Sequence, residues 1–307
     1  MIEIFDDVSY EPGQFYADLQ NLADKRSVPF DGAMVRKSLD VFAKEIDRSV
    51  VQTKTTTKPG DGLYYRFFYK WENDLVDIAR RNDLLRRGTE PIDRLQREVL
   101  DTFSNATQAG LDFEAGRGLA KVWTFTGVRP IEDLFGLSAI PESVPAHAEF
   151  FARHGLRRAF FVASDFHGET MNLYPVIEPE CRNAEWLRKL VDETSGSLAD
   201  APDYGKMMGS LARTGCLGMT FSWRSPELHR WALYSLNAPT GDGSELLPAL
   251  PGTLAEFDDQ APTLNADPQR NVAWSFGKAG FYTKLEKSYA KDANYFLTTE
   301  MGCDLSR

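Results

Sequence analysis

The sequence predicts an α+β fold in which ten antiparallel strands close into one β-barrel, built from five αββα repeats and surrounded by a ring of helices. Two observations carry this. Strand-like stretches come in adjacent pairs, at 48–57/63–72, 110–117/119–128, 158–167/170–178, 214–223/229–237 and 270–277/281–290, with helix-like stretches between the pairs. Adjacent pairs read as antiparallel hairpins, because a parallel βαβ sheet needs single strands alternating with helices. The second observation is that most pairs carry a Lys, Arg, Tyr or Asn in mid-strand. Closure turns residues of one parity into a shared interior, where a cation has no structural reason to sit unless an anion joins it. An open sheet of ten strands accumulates twist and leaves two edges, and closure removes both.

The elements follow in order. Phe15 to about Arg26 has Phe15, Leu19 and Leu22 at near-helical spacing, and Gly32 to Asp47 sets Val35, Leu39, Phe42 and Ile46 on one face. Val50–Thr57 is rich in Val and Thr, Pro59-Gly60-Asp61-Gly62 makes a turn, and the aromatic run 63–71 is a strand. Residues 91–107 read as a helix (Ile92, Leu95, Val99, Phe103), and Gly116-Arg117-Gly118 separates the next two strands. Ser143–Gly155 is helical, and Ala159–Phe166 pairs with Thr170–Ile177 around His167-Gly168-Glu169. Helices at 183–195 and 203–213 precede Leu217–Trp223 and Arg230–Leu236. A weaker helix near 247–257 precedes Val272–Phe276 and Phe281–Tyr289. No stretch has linker composition, so residues 1–307 are expected to form a single domain.

Composition narrows the function. Of 307 residues, 42% are hydrophobic and 26% charged, as in a soluble globular protein, and the formal charge of −10 argues against bulk nucleic-acid binding. No apolar run of roughly 18 residues exists to span a membrane. The N-terminal stretch MIEIFDDVSY is acidic and lacks a signal region. Three widely spaced cysteines fit a reducing cytoplasm, and with no CxxC or HExxH motif and four scattered histidines no metal site is expected.

Period-two bookkeeping places Tyr64, Arg66, Phe68 and Lys70 on one face, Lys121, Trp123 and Phe125 on another, and Asn172 with Tyr174 on a third. Arg230, Ala232 and Tyr234 share a face, as do Tyr282, Lys284 and Glu286, and Lys54 lies in the first strand. With these faces inward, Lys54, Arg66, Lys121, Arg230 and Lys284 converge beside two neutral donors, a cage suited to a diphosphate. Interleaved aromatics, including Phe68, Trp123 and Tyr234, would shelter and stabilise a cation. Taken singly, a strand lysine usually faces solvent, the aromatics are ordinary core, and Cys216 is a small buried hydrophobe. Glu286 reads as a base, as a counter-charge to Lys284 or Lys287, or as an exposed side chain.

Leu137-Ser138-Ala139-Ile140-Pro141, then Ala148-Glu149-Phe150-Phe151-Ala152-Arg153-His154-Gly155-Leu156 and Met171-Asn172-Leu173-Tyr174, resemble stretches of the soluble aromatic prenyltransferases with the ABBA, or PT-barrel, fold. The strands bearing Trp223 and Arg230, and Tyr282-Thr283-Lys284-Leu285, are similar too. The resemblance covers most of the chain at low identity. It implies transfer of an allylic group from an isoprenoid diphosphate to an electron-rich aromatic carbon, with no cofactor. Position by position, it makes Lys121, Asn172, Tyr174, Arg230 and Lys284 diphosphate contacts and puts Trp123 beside the allyl chain. Phe160 and Cys216 fall on the aromatic-substrate side. Where magnesium-dependent members carry an Asp in the second strand, this chain has Arg66, which implies the magnesium-independent branch, with Lys54 adding charge. Two departures stand out: a Lys of some members in the 168–170 turn is here Gly168 or Glu169, and a diphosphate-contacting Tyr aligns near Gly218.

The implied reaction is loss of diphosphate to a delocalised cation, attack by an aromatic carbon, and removal of the ring proton by Glu286, released diphosphate or water. The resemblance leaves phenazine carboxylates, hydroxyphenylpyruvate, dihydroxynaphthalenes and indoles as acceptors, and a phenazine-carboxylate type is the one expected here. Trp123 and the aromatic strands favour dimethylallyl over geranyl diphosphate. One continuous barrel is expected to act as a monomer. A lipocalin-like small-molecule-binding barrel without catalysis is the rival reading, and it calls for no convergent cations. A regulatory or interaction protein built from αββ repeats is a second rival, with an inert interior.

Overall fold

A computed structural model of the chain describes residues 11–85, 90–195, 202–211, 215–238, 247–278 and 280–303. The N-terminal stretch 1–10, the end of the expected 203–213 helix and residue 214 of the expected 214–223 strand lie outside these residues. Ten strands are present: β1 (Val50–Thr56), β2 (Tyr64–Trp71), β3 (Thr107–Glu114), β4 (Gly118–Pro130), β5 (Arg158–Asp165), β6 (Thr170–Pro175), β7 (Gly215–Ser222), β8 (Ser225–Ser235), β9 (Arg270–Gly277) and β10 (Gly280–Ala290). Each pairs antiparallel with its neighbours in sequence, and β1 pairs with β10 to close the barrel. The hairpin turns need left-handed backbone, supplied by Gly118 (φ 87°) at the first residue of β4 and, in the 167–169 turn, by Glu169 (φ 48°) and not by Gly168.

Helices lie between the hairpins, as the repeat requires. α1 (Pro12–Arg26), α2 (Gly32–Val41) and α3 (Ala43–Ile46) precede β1, and α4 (Leu75–Arg81) and α5 (Glu90–Thr102) precede β3. α6 (Ser143–Ala146) and α7 (Ala148–Arg153) precede β5, α8 (Ala184–Ser195) and α9 (Tyr204–Gly209) precede β7, and α10 (Gly252–Gln260) precedes β9. The expected Gly32–Asp47 helix breaks at Phe42 and the expected Ser143–Gly155 helix at His147, both with ψ near 15°. The apolar face survives the first break, since Phe42 and Ile46 are both buried. Asp31, Asp74 and Asp203 cap α2, α4 and α9 by accepting from Met34 N, Asp77 N and Lys206 N at 2.9–3.0 Å.

The barrel wall separates two cores. Outward-facing residues of the strands pack under the helices: Tyr65 stacks on Phe113 at 5.2 Å, and Trp231 on Phe276 at 4.5 Å. Polar staples tie helix to barrel, as where Tyr289 Oη donates to Asp18 (2.8 Å) and Trp231 Nε1 to Thr194 Oγ1 (2.7 Å). A second, inner cluster contains Trp123, Phe160, Phe161, Tyr174 and Cys216. After β10 the chain turns back through α11 (Ala293–Tyr295) and a π-helical turn, Phe296–Glu300. This segment drives Phe296, Met301 and Cys303 into the inner cluster at the end of the barrel away from the hairpin turns. Among the described residues no helix is long and apolar enough to cross a membrane, and none of the three buried cysteines forms a disulfide.

Candidate active site

The interior divides into two chambers. A polar cavity of about 380 Å³ opens at the hairpin-turn end, lined by seven lysines and arginines against four carboxylates. A narrower apolar chamber of about 60 Å³ lies deeper, walled by Phe68, Trp123, Phe160, Phe161, Tyr174 and Tyr234, with Cys216 also on it. Arg66, Trp123 and Tyr234 border both.

Strand register places the cations. Arg66 on β2 is opposite Asp112 on β3, Asp112 is opposite Lys121 on β4, and Lys121 is opposite Asp165 on β5. Lys54 on β1 is opposite Glu286 on β10. Opposite charges therefore alternate along one side of the barrel. Lys54 Nζ donates to Asp112 Oδ2 at 2.5 Å, and Arg66 reaches the same carboxylate with Nη2 (3.2 Å) and Nε (3.4 Å). The other amino group of Arg66, Nη1, lies 2.6 Å from Glu286 Oε1, and Asn271 donates to Glu286 Oε2 at 3.2 Å. Lys121 Nζ sits 3.3 Å from Asp165 and donates to Asn172 Oδ1 at 2.9 Å, and Asn172 donates onward to Thr220 Oγ1 at 2.7 Å.

Two further strand cations have no direct carboxylate partner among the described residues. Lys284 donates to Tyr234 Oη at 3.2 Å, and neither it nor Arg230 makes an ion pair with a carboxylate among the described residues. Burial, with Arg230 and Lys54 nearby, pushes the Lys284 ammonium down to about 7. Burial pushes Lys121 down to about 8, against the pull of Asp165. Burial alone would raise Asp112, but Arg66 and Lys54 outweigh it and hold the carboxyl down at about 2. Arg230 and Lys284 are thus the strand-borne cations that an entering anion would meet without displacing a carboxylate.

The aromatic wall is fixed by hydrogen bonds and by two backbone devices. Trp123 Nε1 donates to Tyr174 Oη at 2.8 Å, and the Arg66 guanidinium lies 4.9 Å from the Trp123 ring centroid. A register shift between Ala159 and Phe161 lets consecutive residues Phe160 and Phe161 both face inward. Gly218 admits the phenols of Tyr174 and Tyr234, since a Cβ there would lie 3.2 and 3.0 Å from their rings. That packing replaces the tyrosine the resemblance aligns near Gly218. The 167–169 turn contributes His167, which lines the polar cavity 3.1 Å from Glu114.

The predicted positions Lys54, Arg66, Lys121, Asn172, Tyr174, Arg230, Lys284, Trp123, Phe160, Cys216, Phe68, Tyr234 and Glu286 thus gather around the one interior. Lys70 does not: a register shift between Phe68 and Trp71 leaves it exposed. Glu286 is buried and paired with Arg66, which excludes the exposed reading of that residue. Asp112, Asp165, Phe161 and Asn271 escaped the sequence reading, as did Ala293 and Leu297 of the C-terminal turn, which line the apolar chamber. Asp112 and Asp165 are the acidic positions that flank Lys121 on the two neighbouring strands.

Fold and site together define a closed barrel whose basic cavity adjoins an apolar aromatic chamber. The chain belongs to the aromatic prenyltransferase Orf2 family, whose model matches residues 10–300, and it is accordingly a transferase of prenyl groups. It is 29% identical over 291 residues to 4-hydroxyphenylpyruvate 3-dimethylallyltransferase of Streptomyces niveus, covering 94% of this chain and 88% of the relative. It is 28% identical over 287 residues to an aromatic prenyltransferase of Sclerotinia sclerotiorum, covering 91% of each. Among solved structures, 5-dimethylallyltryptophan synthase of Streptomyces coelicolor shares the fold, with a TM-score of 0.54 at 14% identity over 94% of this chain and 99% of that one. The same enzyme in complex with DMASPP and Trp superimposes with a TM-score of 0.51, covering 94% of this chain and 97% of that one.

Proposed function

We propose that the protein, acting as a cytoplasmic monomer, transfers a dimethylallyl group from dimethylallyl diphosphate to a ring carbon of a small aromatic acceptor without a metal. The observation that carries this reading is Arg230 and Lys284, which make no direct ion pair among the described residues, set in a basic cavity that shares Arg66, Trp123 and Tyr234 with the aromatic chamber. A dimethylallyl donor is supported by the names of the Streptomyces niveus relative and of the Streptomyces coelicolor enzyme, and by the small apolar chamber. Metal independence is supported by Arg66 and Lys54, which already hold the carboxylate of Asp112, while Arg66 also holds that of Glu286. A phenazine-carboxylate acceptor rests on the resemblance alone, and the relatives named above give it no support. All the groups invoked lie in one barrel, which supports a monomer.

In this reading the C–O bond to diphosphate breaks, and Arg230, Lys284, Lys121, Asn172, Lys54 and Arg66 stabilise the charge growing on the leaving group. The faces of Trp123, Tyr174 and Tyr234 stabilise the allylic cation and exclude water. A ring carbon of the acceptor forms the new C–C bond, and the proton it sheds passes to Glu286, the carboxylate on the apolar chamber.

Calorimetric titration with a non-reactive dimethylallyl thiolodiphosphate tests it. Binding is expected in EDTA and unchanged by added magnesium. Glu286→Gln should keep that binding and lose turnover. Absence of binding in both conditions would overturn the donor assignment and favour a barrel that binds some other small molecule without reaction.

Donor binding is also expected to depend on pH with a defined sign. In the empty cavity Lys284 and Lys121 lose their protons near pH 7 and pH 8, and a bound polyanion favours the protonated forms. Affinity is therefore full below about pH 7 and falls as pH rises through both values, and near pH 8 binding takes up protons. Titrations in two buffers of different ionisation enthalpy measure that uptake, and a pH-independent affinity between pH 6 and 9 would refute it.

A further inference from the structure

Asp112 and Asp165 are buried or nearly so, lie among the lysines and arginines of the polar cavity, and have no part in the chemistry above. A carboxylate in a site for a polyanion opposes the ligand by simple repulsion. Their contacts give them a purpose. Oδ2 of Asp112 is shared by Lys54 Nζ (2.5 Å) and Arg66 Nη2 (3.2 Å), so one oxygen holds together two cations that would otherwise repel. Asp165 bears the same relation to Lys121, at 3.3 Å, and also accepts from Gly168 N at 2.9 Å.

We propose that Asp112 and Asp165 are resident counter-anions of the cavity: they hold Lys54, Arg66 and Lys121 in place while no donor is bound, give up part of that contact to the diphosphate, and take it back when diphosphate leaves. They are positioning residues, not catalytic ones. This rests on the donor reading above and adds to it the statement of what limits product release. The physical ground is linkage. A carboxylate that stabilises only the empty site weakens every ligand that competes for the same cations, and removing it strains the empty state more than the occupied one. The cost of an unpaired buried cation pair then becomes affinity for the diphosphate that restores its partner.

Calorimetry with inorganic diphosphate and with the dimethylallyl thiolodiphosphate, on the full chain and on Asp112→Asn and Asp165→Asn, tests the proposal. Both ligands are expected to bind at least about tenfold more tightly to each variant, a gain of about 1.4 kcal/mol. Inhibition by product diphosphate should strengthen in step while kcat falls. Damage to the fold would weaken binding, so the direction separates the two causes, and circular dichroism selects variants that keep their structure. Unchanged or weaker binding in a folded variant overturns the proposal. If the unaltered protein binds neither ligand, it is the donor reading that fails.

Discussion

Lys284→Ala is expected to lower turnover by roughly 10²–10³-fold, the usual cost of removing one preorganised group that stabilises transition-state charge. Lys284 and Arg230 are the strand-borne cations of the cavity without a carboxylate in ion-pair contact among the described residues, so an incoming anion meets them without displacing a partner. Stability should move the other way. Burial and its cationic neighbours push Lys284 down to about 7, below its value in an unfolded chain. A proton is thus bound more weakly in the folded state, so this group destabilises the fold below about pH 10, increasingly down to about pH 7 and constantly below that. Its removal takes away that burden at neutral pH. The melting temperature of Lys284→Ala is therefore expected not to fall while activity collapses. A parallel loss of both would show that Lys284 is a structural residue.

Arg66→Ala should do the reverse. The guanidinium is shared between Asp112 and Glu286, both buried, and truncation leaves each short of a partner. Breaking such a network costs about 3–5 kcal/mol, which for a chain of this size lowers the melting temperature by on the order of 10 °C. Donor binding in EDTA should be lost with it. Thermal unfolding followed by circular dichroism checks the first expectation, and a melting temperature within about 2 °C of the parent would refute it. The contrast between Lys284 and Arg66 separates cations kept ready for a ligand from cations bound into the wall.

Much of the barrel was legible because its signal is local. Paired strands, turn glycines and one-parity cations need only neighbouring residues, and they located all five hairpins. Parity fails wherever a ladder slips. The shift past Phe68 turned Lys70 outward, and the shift before Phe161 brought a second phenylalanine inward, each invisible to strict alternation. Asp112 and Asp165 went unnoticed for a different reason. An acidic residue beside a strand looks like a solvated one until cross-strand register sets it against Arg66 or Lys121. The C-terminal turn was missed because 293–303 has no strong period, and its apolar residues make sense only against the barrel they close.

The seam between β1 and β10 has a consequence for how the molecule is made. Val51 is paired with Ala290 and Thr56 with Lys284, contacts between residues more than two hundred positions apart. Every other strand can zip to a neighbour just synthesised, but the ring stays an open sheet with two free edges until β10 emerges. Long-range closure is slow, so the nascent chain spends its most aggregation-prone interval with nine strands assembled and the last not yet available. Truncation before residue 280 should therefore yield insoluble protein, not a smaller barrel, and chaperone demand should peak late in translation.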